Sequence, residues 1–274
     1  MRLKKWVPLF GTNFFGAVTD NYLKNLISFI CIYWVSKENH SLVVSMAAVM
    51  LGLPFIVFSP LAGYISITKK RTSIVSYAKG LAVLIALIGS IAFMTQNIIL
   101  VMIAMFLMGF QSTIYSPAKY GLIRNIGGKE GISFGTGTME MITFIAVLAG
   151  TVLAGYVSDI DKIKGWEWAR TYVLVIVFFM VALFAWVFSF FIKANESEPD
   201  KSHVSTLNPV KFLYQMYVFS RTINGLIPIL LGIATFGLIA SLVQMNIYLH
   251  CLNVYKLTGS QTSLIIAYMS VGIG

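Results

Sequence analysis

Asp20 and Lys24 interrupt an apolar run at 10–35 that is long enough to cross a bilayer. A charge at that depth is costly enough that it faces a cavity or a partner. A spacing of four puts the two on one helical face, within reach of each other. Two readings follow: a structural ion pair neutralised between packed helices, or a polar site, shared with Asn21, on a transport path. Asp20 falls roughly 16 Å into its run, close to the midplane, and Glu140 roughly 12 Å into another. Either carboxylate could couple a proton, receive a cation or hold a lysine in a bridge. Lys79, roughly 10 Å deep, either joins them or snorkels along its stem to the inner surface. Lys119 follows Ser116 and Pro117, and the proline removes a helix hydrogen bond. A kink beside a basic residue suits a gate that meets an anion; an interface anchor is the plainer reading. Arg221 either pairs with the first bundle or marks the inner face.

Catalysis finds no support. Gly127-Gly128-Lys129-Glu130 lacks the spacing and the hydroxyl of a phosphate loop. None of His40, His203 and His250 is followed by Asp five residues on, the pattern of glycerolipid acyltransferases. Cys31 and Cys251 suggest neither a disulfide framework nor a metal site. No cofactor or metal is expected.

The elements that position these residues are membrane helices. Apolar residues are 58% of the chain and charged residues 11%, against about 45–50% and 25% in soluble domains. The net charge of +10 lies in loops and at span ends, so nucleic acid is not implied. The start Arg2, Lys4, Lys5 mimics a signal peptide, but Asp20, Asn21 and Lys24 spoil its apolar region, and 8–35 reads as a first span. Further spans are expected at 42–67, 73–94, 97–122, 132–157, 172–192 and 223–250, with an eighth from 260. With the N-terminus cytoplasmic, thirteen basic residues fall inside and five outside, loop by loop.

Six spans (1–192) are followed by a polar linker (193–221) and then by 222–274. Asn208 and Pro209 suit an N-cap and a first helical position, and 210–219 suits a short interfacial helix. Leu61-Ala-Gly-Tyr-Ile-Ser66 is echoed by Leu153-Ala-Gly-Tyr-Val-Ser158 at the ends of spans two and five, which run oppositely. Inverted three-helix repeats of this kind occur within the halves of large transporters. Gly131-x-x-x-Gly135 and Ala146-x-x-x-Gly150-x-x-x-Ala154 read as close helix packing.

The loop 63–71 resembles the Gly-x-x-x-Asp-Arg-x-Gly-Arg signature of the major facilitator superfamily. Gly63 and Arg71 fit; Ile67 stands where the Asp belongs and Lys70 where the second Gly belongs. Phe15-Gly-Ala-Val-Thr-Asp20-Asn21-Tyr-Leu-Lys24-Asn, Ser116-Pro-Ala-Lys-Tyr-Gly121 and Gly135-x-x-x-Met139-Glu140 resemble its bacterial lysophospholipid transporter branch. So do Gly150-Thr-x-x-Ala-Gly155, the stretch 236–246 and the closing Gly272-Ile-Gly. The resemblance implies an all-α polytopic membrane fold, a six-helix N-terminal bundle plus the first one to two helices of a second. It implies a transporter and not an enzyme, moving lysophospholipid across a bacterial inner membrane by alternating access. Asp20, Asn21, Lys24, Lys79 and Glu140 would line the path, and Gly63, Arg71, Ser116, Pro117, Lys119 and Arg221 would gate it. Its partners would be membrane lipids and an acyltransferase/acyl-carrier-protein synthetase, fused or separate. A transporter of a small polar solute or drug, or an acyltransferase anchor, are the competing readings. The eighth span stops after about fifteen residues, short of a crossing, so the chain alone is expected to be inactive.

Overall fold

The computed structural model describes residues 3–30, 34–160, 169–196 and 208–273. Arg2, Cys31, Lys162, Lys164, Lys201, His203 and Gly274 lie outside them. Among the described residues the regular structure is all helix: α1 Val7–Phe29, α2 His40–Val57, α3 Ser59–Thr68, α4 Arg71–Met94, α5 Ile98–Gly127, α6 Ile132–Ser158, α7 Ala169–Phe190, α8 Pro209–Arg221, α9 Leu226–Asn253 and α10 Gly259–Ile273. The chain is a multi-pass membrane protein. Among the described residues six helices are long and apolar enough to cross a bilayer, α2 with its leading turn, α4, α5, α6, α7 and α9; α1, the expected first span, is not one of them.

The expected second span, 42–67, is two helices. α2 ends at Val57, and α3 restarts at Ser59 with Pro60 in its first turn. A proline lacks the N–H that would continue the ladder and crowds the turn before it. Hydropathy runs unbroken through this point, so only Pro60 signals the break. Other ends follow side-chain capping. Asn97 Oδ1 accepts from the N–H groups of Ile99 and Leu100 at 3.0 and 3.2 Å. Asn208 Oδ1 does the same for Val210 and Lys211, at 3.0 and 3.2 Å, the cap expected there.

α1 is the most polar long helix and also one of the most enclosed, packing chiefly against α6 and α7. Its polar groups are satisfied inside. Thr12 and Thr19 each donate to a carbonyl one turn back at 2.8 Å. Asn25 donates to Asn21 O at 2.7 Å and to Thr151 Oγ1 at 2.9 Å. The small residues of α6 permit this approach: a Cβ on Gly150 would lie 2.8 Å from Val18 O and 3.1 Å from Tyr22 N of α1. Gly150→Val is therefore expected to lower stability by about 1–3 kcal/mol through overpacking, read as a fall in melting temperature of the detergent-solubilised protein. An unchanged melting temperature would mean that α1 and α6 separate freely here.

Two apolar clusters fill the bundle. One gathers Tyr22, Leu26, Ile85, Met105, Met108 and Phe178; the other, toward the N-terminal end, gathers Trp6, Leu9, Val75, Leu122 and Met139. Along α1, α4 and α5 the polar residues Asp20, Lys79 and Ser112 fall between the two sets.

Candidate functional site

Asp20 of α1 is held by α5, whose Ser112 hydroxyl donates to Oδ2 at 2.8 Å. Its carboxylate acts electrostatically on two ammonium groups, Lys79 of α4 and Lys119 of α5. Lys79 is 1% exposed, and its Nζ sits 3.9 Å from the centre of the Tyr115 ring, a cation–π geometry. The same ammonium lies against Gly16, where a Cβ would occupy its place. That contact explains a glycine four residues before Asp20. Lys119 is buried, with Nζ 4.7 Å from the Tyr120 ring centre. It feels the charge of Glu140 on α6 as well as that of Asp20. Tyr120 completes the set by donating its hydroxyl to Glu140 Oε1 at 2.6 Å. Asp20 with Lys79 and, about two turns beyond Ser112 along α5, Lys119 with the exposed Glu140 thus place two carboxylates and two ammoniums on α1, α4, α5 and α6.

Polar neighbours brace these groups. Asn13 Nδ2 donates to Thr143 Oγ1 at 2.8 Å, and the Tyr115 hydroxyl to Asn13 Oδ1 at 3.5 Å. Gln111 accepts from Ser112 at 3.3 Å, while its buried Nε2 has no hydrogen-bond partner among the described residues. It lines a crevice of about 620 Å³ between α3, α4 and α5, with Lys69 and Lys70.

The structure thus brings together Asp20, Lys79, Lys119 and Glu140, and separates others. Lys24 does not pair with Asp20: its Nζ donates to Gln244 Oε1 of α9 at 3.3 Å. Spacing places the two on one face, but the carboxylate turns to α4 and α5 and the long lysine stem to α9. Asn21 turns to α6, its Cβ 3.1 Å from the Cβ position of Gly150 and its amide donating to Ala17 O at 2.9 Å. Lys79 does not snorkel, because its interior partners outweigh what its stem reaches outside. Ser116 and Pro117 lie in the body of α5, which runs through them unbroken. Arg221 ends α8, exposed, its guanidinium 5.9 Å from the Tyr217 ring centre, and no hydrogen bond or ion pair among the described residues ties it to the first bundle.

The loop around Arg71 has its own carboxylate. Glu196 accepts from the N–H of Arg71 at 2.5 Å and of Thr72 at 3.0 Å, a negative charge at the positive end of α4. Ile67 stands where the superfamily signature has an acid, and this acid arrives from the linker instead. Arg71 Nη1 donates to Asn125 Oδ1 at 2.6 Å. Its side chain fills the space a Cβ on Gly121 would need, with Cδ at 2.6 Å. Gly63 faces α8, with Phe212 3.9 Å from its Cβ position.

Ser112, Tyr115, Tyr120, Gln244 and Glu196 escaped the sequence reading. A signal for the first existed: Gln111-Ser112-Thr113 is a polar triplet inside an otherwise apolar run.

A bundle of membrane-length helices with charged side chains inside it defines a polytopic membrane protein. The chain belongs to the major facilitator superfamily: the model of that family, described as Major Facilitator Superfamily, matches residues 11–274. The crystal structure of a D-xylose-proton symporter superposes with a TM-score of 0.57 at 15% identity, covering 98% of this chain and 65% of that one. At that identity the likeness shows the fold alone. Among curated relatives, the lysophospholipid transporter LplT of Escherichia fergusonii is 29% identical over 106 residues, 39% of this chain and 25% of the relative. That of Photorhabdus laumondii is 40% identical over 53 residues, 19% of this chain and 13% of the relative. The chain therefore spans about a quarter of the length of the first of these relatives.

Proposed function

We propose that this chain serves secondary transport of lysophospholipid, first of all lysophosphatidylethanolamine, across the bacterial inner membrane. The N-terminus is cytoplasmic in this reading, and the bundles rock around these charged residues in alternating access. The lipid delivered inside is then reacylated by an acyltransferase/acyl-carrier-protein synthetase, a partner or a fused domain. The observation that carries the reading is an apolar groove of about 390 Å³ between α6, α9 and α10, lined by Phe144, Phe236, Ile239, Val243, Ile266 and Met269 among others. Such a wall suits a single acyl chain. The likeness to the two lysophospholipid transporters supports the same cargo.

Vesicles carrying the full transporter to which this chain contributes are expected to take up labelled lysophosphatidylethanolamine faster than protein-free vesicles and to leave labelled xylose outside, whereas the 274-residue chain alone is expected to be inactive. Uptake of xylose with no lipid movement would overturn the cargo; partner binding with neither flux would favour an anchor.

A further inference from the structure

Among the described residues, Lys24 is a further lysine inside the bundle, apart from the carboxylates that act on Lys79 and Lys119. Asp20 lies within electrostatic reach of Lys79 and Lys119, and Glu140 of Lys119, whereas Lys24 has no carboxylate within such reach among the described residues. An ammonium has three protons to donate, and the hydrogen bond found for this one is the 3.3 Å contact to the neutral amide oxygen of Gln244. A cation taken out of water with no counter-charge is costly. Lys24, only partly exposed, lines an open cavity of about 420 Å³ between α1, α2 and α9, beside Ser28, Ser45, Ser241, Gln244 and Tyr248. An anion in that cavity removes the imbalance.

From this geometry we infer that the Lys24 cavity is the subsite for a phosphate oxyanion, in the first instance the phosphodiester of an amphiphile. Gln244 supplies the link to the rest of the ligand. It lines both this cavity and the apolar groove between α6, α9 and α10. A ligand with its phosphate at Lys24 lays one acyl chain past Gln244 into that groove. The match is to one anionic group and one chain, the composition of a lysophospholipid. Asp20 stands one turn away, about 6 Å along α1, and carries the opposite sign. Asp20 and Lys24 thus hold separate places: Asp20 is set against Lys79 and Lys119, and Lys24 serves the ligand's phosphate. Lys24 and Gln244 also sit on opposite sides of the boundary between the first six long helices and α9, so an occupied subsite draws the two together.

The inference rests on the lysophospholipid reading for the ligand's source and on Lys24 for its chemistry. Equilibrium binding to the purified protein in non-ionic detergent separates these. Five probes serve: lysophosphatidylethanolamine, glycerophosphoethanolamine, inorganic phosphate, monoacylglycerol and xylose. Lys24→Met is expected to weaken lysophosphatidylethanolamine about tenfold or more, the scale of a lost charge-assisted hydrogen bond. It leaves monoacylglycerol unchanged, and Lys24→Arg retains lysophospholipid binding within about threefold because it keeps the charge. Melting temperatures of both variants report on folding. Undiminished lysophospholipid binding by Lys24→Met overturns the subsite and leaves the cargo standing. Equal loss of monoacylglycerol, or a lowered melting temperature with binding intact, makes Lys24 a mere latch to α9 and also overturns it. If inorganic phosphate binds as tightly as the lipid and with the same dependence on Lys24, the subsite stands and the lipid reading falls.

Discussion

Asp20→Asn in the full transporter is expected to reduce the initial rate of lysophosphatidylethanolamine uptake by about 100-fold or more. Asparagine keeps the size of the side chain and an oxygen that accepts from the Ser112 hydroxyl, 2.8 Å away in the native chain. Only the charge is lost, so a fall in rate reports the charge. Without it, the buried Lys79 loses the carboxylate that acts on it, because the exposed Glu140 is set against Lys119. Stranding a buried charge by removing its partner costs about 3–5 kcal/mol, and each 1.4 kcal/mol is roughly a factor of ten. The same change removes the carboxylate best placed to meet a cargo ammonium. Uptake is normalised to protein content by immunoblot so that lost expression is not counted as lost transport. A rate within about twofold of the unmodified transporter would remove Asp20 from the translocation path.

How much of this was legible beforehand depends on the distance over which each feature acts. The helices were, because apolar runs and proline are local. Even the divided second span had its mark in Pro60. That Asp20 lies inside was legible from a charge in an apolar run. Its partners were not: Lys79, Ser112 and Lys119 come from other helices, and packing alone decides which of several buried polar residues face it. The i, i+4 spacing of Asp20 and Lys24 misled for the same reason. Spacing sets which face two residues share, whereas the direction of a long side chain is set by the nearest acceptor. For Lys24 that acceptor is Gln244, far along the chain on α9. Glycines were legible only as small. That Gly16 clears space for Lys79, Gly121 for Arg71 and Gly150 for the α1 backbone emerges once the helices are docked.

Lys79→Met should be the most destabilising single change among these charged residues, by about 3–5 kcal/mol. Methionine fills much of the volume and adapts to irregular space, so the loss measures charge more than packing. Lys79 is 1% exposed and Asp20 only partly exposed, so water replaces the missing ammonium incompletely, and Lys119 is the other cation within electrostatic reach of Asp20. A lysine that snorkelled to the surface would cost within about 0.5 kcal/mol, so the two pictures differ well beyond measurement error. The decisive variant is the double one. In Asp20→Asn with Lys79→Met both members of the pair are neutral, and the penalty of a stranded charge disappears. Its stability is expected to exceed that of Lys79→Met alone, with a coupling of about 1–3 kcal/mol in the double-mutant cycle. Transport stays lost in the double variant, because the carboxylate is still absent. Recovered stability without recovered flux separates what Asp20 does for the fold from what it does for the cargo. Additivity within about 0.3–0.5 kcal/mol would instead show that Lys79 and Asp20 share a layer without acting on each other.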